Sequence, residues 1–469
     1  MNTVDMILQE RHLTELHELV SHADGTEGAA YLLLGRADII CDPWDRSRRL
    51  RLLSHEVVPI PKADLVSAST QHVTWETASF VRLLKQAQDR GLIAGIVHSH
   101  QHGALGFSEQ DDTNESRLVQ LAHNRNGSSE MMASLLLPNG GTPRARLWTS
   151  ASTKQGCIKV SVAGRNLAIH PFKIQNMLSN EIWHRQALAF GDALNDILRS
   201  LKVGIVGCGA TGSATAMLLS RLGVGQLLLV DEDIVETTNL NRLHGANRGD
   251  ADAMRPKVDV LAREIANLGL GVRPHPIRSW VGDSKCRDAL RSCDVIFGCT
   301  DDHTGRIFLN RLTYFYLIPV IDQGLAIQPR SSGGFSDLTG RVTVLAPGAP
   351  CLLCRNVVDT QTAREEELRR TQPEKYARLK EEAYVRGSGN PAPAVVSFTT
   401  ATACMAVNEL IQGLNGFKGP GGWCWNRAYR FDLHEDRRPG ALPNSDCIIC
   451  GKNEYWGRGD MDPFLDRVG

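Results

Sequence analysis

The sequence predicts a two-domain α/β chain whose second half is a doubly wound, mostly parallel sheet with helices on both faces. Three observations carry this. A strand VGIVG, a glycine turn, a helix SATAMLLSRLG and a strand QLLLVD follow one another from residue 203 to 231, which is a β-α-β unit. A further helix (256–268) and the strand DVIFGCT (294–300) continue the alternation. The first 150 residues instead mix short apolar runs with helical segments, and 469 residues suit two or three domains.

In order along the chain, AYLLLG (30–35) and LIAGIVHSH (92–100) read as buried strands. TWETASFVRLLKQAQD (74–89) reads as an amphipathic helix with Phe80, Leu83, Leu84 and Ala87 on one face. GCIKVSVAG (156–164) reads as a closing strand and turn, so the first domain is expected over 1–165. FKIQNMLSNEIWHRQALAFGDALNDILRSL (172–201) reads as one long helix opening a second domain over 166–455, with 456–469 as a C-terminal tail. The segment 362–391 is highly charged and then glycine-rich, which reads as a solvated helix followed by a loop. No internal repeat is present.

Composition excludes several classes of function. Lys plus Arg and Asp plus Glu are both 52, so the net charge is zero and no global basic field exists to hold nucleic acid. Aromatics at 6% do not suggest a stacking surface for single strands. The apolar run 203–230 is broken by glycines and Arg221, so no membrane span is expected. The N-terminus carries Asp5, Glu10 and Glu15 where a signal peptide would be apolar, so the expected location is the cytoplasm, where the twelve cysteines stay reduced.

The first chemical constellation is His98-Ser99-His100 at the end of an apolar strand, followed by Ser108 and Asp111. Alternation on a strand puts the two imidazoles on one face, about 7 Å apart. Two imidazoles and one carboxylate make a three-ligand zinc site with a fourth position left for water, the catalytic kind. A general base must then be a carboxylate outside the ligand set. Glu27, just before a buried strand, is the best candidate, and Glu56 competes with it. Ser108 is expected to donate to the oxyanion of a tetrahedral intermediate. An isolated His-x-His is more often a pair of polar residues closing a strand, but Ser108, Asp111 and an upstream Glu argue for the metal. The stretch resembles the JAMM (MPN-plus) metalloisopeptidase family, whose motif Glu, then His-Ser/Thr-His-x7-Ser-x2-Asp, it matches without a gap. That resemblance implies a JAB/MPN α/β domain that hydrolyses the bond after the C-terminal glycine of a ubiquitin-like protein.

The second constellation is Gly207-x-Gly209-x-x-Gly212 between strand and helix, where glycines allow a tight turn and a close approach of phosphate to a helix N-terminus. A dehydrogenase is the default rival, with Asp231 on a ribose. The residues that follow favour cleavage of ATP: Asn239 and Arg242 come soon after Asp231 and Asp233, Lys257 starts a helix, and Asp301 follows a strand. Cations stabilise phosphoryl charge and an Asp holds magnesium. GCGATG, VDEDIVETTNLNR, RPK and GCTDD resemble the ThiF/MoeB and ubiquitin-activating (adenylating) family. By that resemblance the fold is Rossmann-like, Asp231 holds the ribose, Asn239, Arg242 and Lys257 contact the ATP phosphates, and Asp301 binds magnesium. WHRQALAFG resembles the family's Arg-Gln motif, which makes Arg185 an arginine reaching the neighbouring protomer and implies a homodimer. The competing reading of Arg185 is a solvated helix charge.

Cys351-x-x-Cys354 and Cys447-x-x-Cys450 supply four thiolates, a closed structural zinc set rather than a redox motif. Residues 355–403 contain no cysteine to accept an activated acyl group. Ser388, in a Gly-Ser-Gly stretch, is a speculative oxyester acceptor against the plainer reading of a linker. Cys404 reads as helix core, and Cys208 as a small residue filling the glycine loop. Joined, the halves imply a bifunctional enzyme of a ubiquitin-like pathway that trims or releases a C-terminal glycine and adenylates it. Its cofactors would be one catalytic and one structural zinc, ATP and magnesium. Its partners would be a ubiquitin-like or sulfur-carrier protein and a conjugating-enzyme-like protein. The alternatives are sulfur transfer through a carrier thiocarboxylate, and a first domain that only docks the carrier.

Overall fold

A computed structural model describes residues 3–22, 24–69, 73–100, 105–172, 181–330, 334–381, 393–451 and 453–460. The chain forms two compact units. The first comprises Met1–Gln175, Phe315–Leu317 and Glu454–Phe464, and the second Asn176–Tyr314, Ile318–Asn453 and Leu465–Gly469.

The first unit contains β1 (Thr3–Gln9), α1 (Glu10–Val20), β2 (Ala29–Ile39), β3 (Arg49–Pro59), β4 (Leu65–Ala68), β5 (Val73–Trp75), α2 (Thr77–Arg90), β6 (Ile93–His100), α3 (Glu109–Asn126), β7 (Met132–Pro138), β8 (Arg144–Ser150), β9 (Thr153–Gly156), β10 (Lys159–Ala163) and β11 (Leu167–Pro171). Nine strands form one sheet in the order β11-β10-β1-β3-β2-β6-β7-β8-β9, and β4 pairs with β5 separately. Strand alternation sorts the core into two layers. Ala30, Leu32 and Leu34 of β2 join Ile93 and Val97 of β6 on the face that holds Leu16 and Val20 of α1. Tyr31 and Leu33 join Ala94 and Ile96 on the opposite face, with Phe80, Leu83, Leu84 and Ala87 of α2 and Val119 and Ala122 of α3. Every residue of β6 is buried, so its last two histidines are held at the end of a covered strand.

The second unit contains α4 (His184–Phe190), α5 (Asp192–Ser200), β12 (Lys202–Val206), α6 (Ala210–Leu222), β13 (Gln226–Val230), α7 (Arg248–Asp252), α8 (Lys257–Asn267), β14 (Arg273–Ile277), α9 (Arg287–Ser292), β15 (Val295–Gly298), α10 (His303–Tyr316), β16 (Val320–Pro329), β17 (Phe335–Leu345), α11 (Thr360–Thr371), α12 (Pro373–Glu381), α13 (Val396–Asn415), β18 (Asn426–Arg430) and β19 (Glu435–Arg437). Its sheet runs β14-β13-β12-β15-β16-β17-β18-β19. The strands from β14 to β16 are parallel, and β17 to β19 extend the sheet antiparallel. After β14 the chain returns to place β15 beside β12, so the winding reverses between them. A ligand crevice is expected outside the carboxyl ends of strands at such a switch point. Among the described residues, no helix is long and apolar enough to cross a membrane.

Three expectations need correction. The single helix expected over 172–201 is broken in its described part, because Gly191 stands at φ +82 between α4 and α5. The boundary after residue 165 falls inside the hairpin of β10 and β11, which pair antiparallel from Lys159–Pro171 to Ala163–Leu167. Residues 456–460 are not a free tail. Trp456 is buried, its carbonyl lies 2.8 Å from His55 Nδ1, and the Asp38 N–H donates to the Asp460 carboxylate at 2.5 Å.

Candidate metal centre and nucleotide crevice

β6 and α3 build the first site. On β6 the even positions face α2 and α3, so His98 and His100 point to the side where α3 begins. Ser99 points the other way, its hydroxyl donating to the Val20 carbonyl at 2.6 Å at the end of α1. Ser108 caps α3: its side chain accepts from the Asp111 N–H at 3.1 Å, and its own N–H and hydroxyl donate to Asp111 Oδ2 at 2.7 and 2.8 Å. That reciprocal cap turns Asp111 toward the histidines. Asp111 Oδ1 lies 3.3 Å from His98 Nε2, and Oδ2 lies 3.3 Å from His100 Nε2. A tetrahedral zinc with bonds of about 2.1 Å would separate its ligands by about 3.4 Å. His98 Nε2 is buried and faces the Asp111 carboxylate, an arrangement that a cation seated between them would satisfy. The donor set therefore fits zinc. Burial raises the Asp111 carboxyl, but hydrogen bonds from His100 and His98, the charge of His98 and the Ser108 N–H outweigh it and hold the group well below the ordinary carboxylate value.

Glu27 is buried just before β2. Ala29 pairs with His98 across the antiparallel ladder, and the Ser99 N–H donates to the Gly28 carbonyl, one residue after Glu27. Glu56 sits on β3 opposite Leu33, one strand farther from β6, and forms an ion pair with Arg90. By that ladder Glu27 stands closer to the histidine strand than Glu56 does. The Ser108 hydroxyl is committed to Asp111, so here it orients a ligand; the expected oxyanion role has no free hydroxyl proton to use.

α3 is itself anchored by residues that the sequence reading missed. Glu115, one turn beyond Asp111, is buried and accepts from Ser134 Oγ (2.6 Å), Arg146 Nε (2.8 Å) and Trp148 Nε1 (2.6 Å). These partners lie on β7 and β8, and no local pattern announces them.

In the second unit, β12 and α6 build the glycine turn. Gly207 stands at φ +88, and a Cβ there would meet the Cys299 backbone at 2.7 Å. A Cβ on Gly212 would come 1.8 Å from the Gly207 carbonyl, so that glycine serves helix–strand packing. A Cβ on Gly209 would have no atom within 4 Å, and this glycine opens onto a cavity of about 690 Å³. Gly207, Asp231, Asn239, Arg242, Lys257 and Asp301 also line this cavity.

Each is held by local chemistry. Asp231 accepts from the Cys208 and Asp233 N–H groups at 2.6 and 2.8 Å, and burial lifts its carboxyl above the ordinary value against those bonds and against Lys257. Lys257 Nζ lies 2.7 Å from Asp233 Oδ2. Burial works against its charge, but Asp231, Asp233 and Asp301 outweigh it and raise its pKa. Asn239 accepts from the Glu236 N–H at 3.2 Å, which closes the short turn that presents Arg242. Of the adjacent acids, Asp302 accepts from the Gly305 N–H at 2.7 Å at the start of α10, which leaves Asp301 to the cavity. Arg185 is exposed on α4 and does not line the cavity of its own chain.

Burial pushes the Cys208 thiol far up, which fits a packing role. Cys404 lies in α13 and is half-buried. Ser388 lies outside the described residues. The charged segment is not a solvated helix throughout: Ala363 of α11 is buried, Glu366 bonds to Thr304, and Arg369 and Arg370 line the cavity. Arg306 lines it too; its place five residues after Asp301 was a signal that went unused.

Cys351, Cys354, Cys447 and Cys450 bring four sulfurs within 4.8 Å of one another. The Cys351–Cys447 and Cys354–Cys450 sulfurs are 3.6 and 3.5 Å apart, near the roughly 3.8 Å spacing of a tetrahedral zinc with bonds of about 2.3 Å. The cluster is compatible with a structural zinc site.

The fold and these sites define a two-unit α/β protein with a His-His-Asp cluster able to hold a metal in one unit and a crevice lined by the glycine turn in the other. The model of the ThiF family matches residues 183–447, more than half of the chain, and the chain belongs to that family. Residues 9–148 match prokaryotic homologs of the JAB domain, so a JAB domain is fused to a ThiF/MoeB-type adenylyltransferase domain. The SAMP-activating enzyme E1 of Haloferax volcanii is 30% identical over 157 residues, 34% of this chain and 54% of that protein. The molybdopterin-synthase adenylyltransferase of Salmonella typhimurium is 29% identical over 163 residues, 34% of this chain and 60% of that protein. The chain thus spans little more than half the length of these relatives. A crystal structure of E. coli MccB with MccA-N7isoASN is 18% identical with a TM-score of 0.46, covering 61% of this chain and 78% of that one.

Proposed function

We propose that the protein is a bifunctional enzyme that adenylates the C-terminal glycine of a ubiquitin-like or sulfur-carrier protein and hydrolyses the bond that follows the same glycine. The observation that carries it is the convergence of Asn239, Arg242, Lys257 and Asp301 on a crevice opened by Gly209. The names of the relatives, a SAMP-activating enzyme and a molybdopterin-synthase adenylyltransferase, support activation of such a carrier.

In the adenylation step a carrier carboxylate oxygen attacks the α-phosphorus of ATP. That P–O bond forms, the bond to the β-phosphate oxygen breaks, and pyrophosphate leaves. Lys257, Arg242 and Asn239 stabilise the developing phosphoryl charge, Asp231 orients the ribose, and Asp301 holds the magnesium that accompanies ATP. Arg185 acts on the crevice of a second copy in a homodimer.

In the first unit His98, His100 and Asp111 would hold zinc, which supplies an acidified water. Glu27 would serve as general base and then return the proton to the leaving nitrogen, and Ser108 keeps Asp111 in place. The structural zinc belongs to the four cysteines. The product acyl-adenylate passes to a conjugating partner directly, since residues 355–403 offer no thiol.

The test is pyrophosphate exchange with the cognate carrier, magnesium and the full chain. Asp301→Ala should abolish exchange, and unchanged exchange would remove the ATP assignment. Replacing both His98 and His100 by Ala should stop cleavage and leave exchange intact. The missing thiol also favours a second reading, sulfur transfer through a carrier thiocarboxylate, as in the pathways that the molybdopterin and ThiS relatives are named for. A conjugating-enzyme-like neighbouring gene supports conjugation, and a sulfurtransferase neighbour supports the second reading.

A further inference from the structure

The crevice has one wall that comes from neither the glycine turn nor the acidic loop. It is α11, in the stretch between the two cysteine pairs. Asp359 caps the helix by accepting from the Thr362 N–H at 2.6 Å, and the Asp359 N–H donates to His303 Nδ1 at 2.9 Å. One turn on, Glu366 accepts from the N–H and the hydroxyl of Thr304 at 2.8 and 2.9 Å. Thr304 stands three residues after Asp301, so these bonds seat α11 against the start of α10, beside the acid assigned to magnesium.

Arg369 and Arg370 follow one turn later, and both line the cavity. The Arg370 guanidinium lies 3.3 Å from the ring centroid of Trp280, which lines the cavity just after β14, and Glu367 pairs with Arg370. Arg369 is exposed to the cavity and has no ion-pair or hydrogen-bond partner among the described residues. The acids one turn before it are engaged elsewhere: Glu365 accepts from Gln361 and Glu366 from Thr304, while Glu367 pairs with Arg370. A guanidinium left unmatched on the wall of an anion-binding crevice is complementary to the charge of the ligand.

We infer that α11 is a nucleotide-closing element: Arg369 contacts the anionic oxygens of a nucleoside triphosphate, and Arg370, stacked on Trp280, holds the helix against the crevice. This rests on the reading of the crevice as an ATP site. It adds that nucleotide binding and the docking of α11 are linked, so nucleotide stabilises the segment downstream of the first cysteine pair.

The experiment titrates the full chain with magnesium and AMP-PNP, without carrier, and follows amide hydrogen exchange of residues 360–371. Arg369→Ala should raise the Kd about tenfold, the loss of one charge-assisted hydrogen bond. Arg369→Lys should recover part of that loss, and Glu366→Gln should weaken binding by loosening the seat. Bound nucleotide should slow exchange across 360–371 in the wild type. An unchanged Kd in Arg369→Ala together with exchange indifferent to nucleotide overturns the inference. A wild-type chain that binds no AMP-PNP at all would instead remove the ATP reading beneath it, so the two failures are distinguishable.

Discussion

Ser108 and Asp111 hold each other through three hydrogen bonds: the Ser108 N–H and hydroxyl both donate to Asp111 Oδ2, and the Asp111 N–H donates back to Ser108 Oγ. A helix cap and the proposed metal ligand are thus one device. The bonds that satisfy the first turn of α3 also set the rotamer that carries a carboxylate oxygen to each histidine.

Ser108→Ala should therefore act twice. Loss of the cap costs about 1 kcal/mol of stability. Loss of the bond that orients a ligand should weaken zinc at this centre by about tenfold or more. Thermal unfolding reads the first effect and competition with a zinc chelator reads the second. Unchanged zinc affinity with lowered stability would confine Ser108 to capping.

What was legible locally was what local periodicity controls. The alternation in LIAGIVHSH placed His98 and His100 on one face, and Ser108 and Asp111 followed at the motif's spacing; that Ser108 caps α3 was not read from it. The β-α-β unit around Gly207 was legible for the same reason. What stayed hidden depends on distant partners. α3 is polar along most of its length, and it is held by Glu115 bonding to residues 19 to 33 positions away. α11 looked solvated because the residue that seats it, Thr304, lies 62 positions before Glu366. The long helix was overextended because a single glycine, Gly191, took a positive φ with extended ψ inside a helical pattern.

A second prediction concerns pH. His12 is buried in α1 with Nδ1 3.0 Å from Ser54 Oγ, and burial, then the charges of Arg11 and His55, push its pKa down to about 3. The unfolded chain, with a histidine near 6.5, binds the proton more readily. Stability from the neutral ring is therefore complete above about pH 6.5 and is lost as pH falls toward 3. Burial depresses His55, His170 and His244 in the same direction. The urea midpoint should fall between pH 7.5 and 5, and His12→Gln should flatten that slope. An equally steep slope in the variant would show that His12 is not a source of it.

A third prediction separates the two metal sites by stoichiometry. The wild type should hold two zinc ions per chain by elemental analysis. Changing His98 and His100 to Ala should leave one, and Cys447→Ser should lose the other together with several kcal/mol of stability, since a closed thiolate site contributes directly to folding. One zinc per chain in the wild type, retained in the double histidine variant, would mean that the JAB domain binds no metal and serves as a docking module.

The last prediction uses the three glycines of the turn, which share a motif but carry different burdens. Gly207 is needed for its backbone: φ is +88, and an added Cβ would strike the Cys299 backbone at 2.7 Å. Gly212 is needed for packing, because its Cβ would lie 1.8 Å from the Gly207 carbonyl. Gly209 is needed for neither, since its φ is −75 and no atom stands within 4 Å of a Cβ. Alanine at 207 or 212 should lower the thermal midpoint, by an amount consistent with about 1–3 kcal/mol of strain or overpacking. Alanine at 209 should leave the midpoint near that of the wild type and still weaken AMP-PNP, because the methyl would occupy the space into which a phosphate must come. If all three variants lost stability alike, with nucleotide affinity following stability, the open face of Gly209 would have no part in binding phosphate.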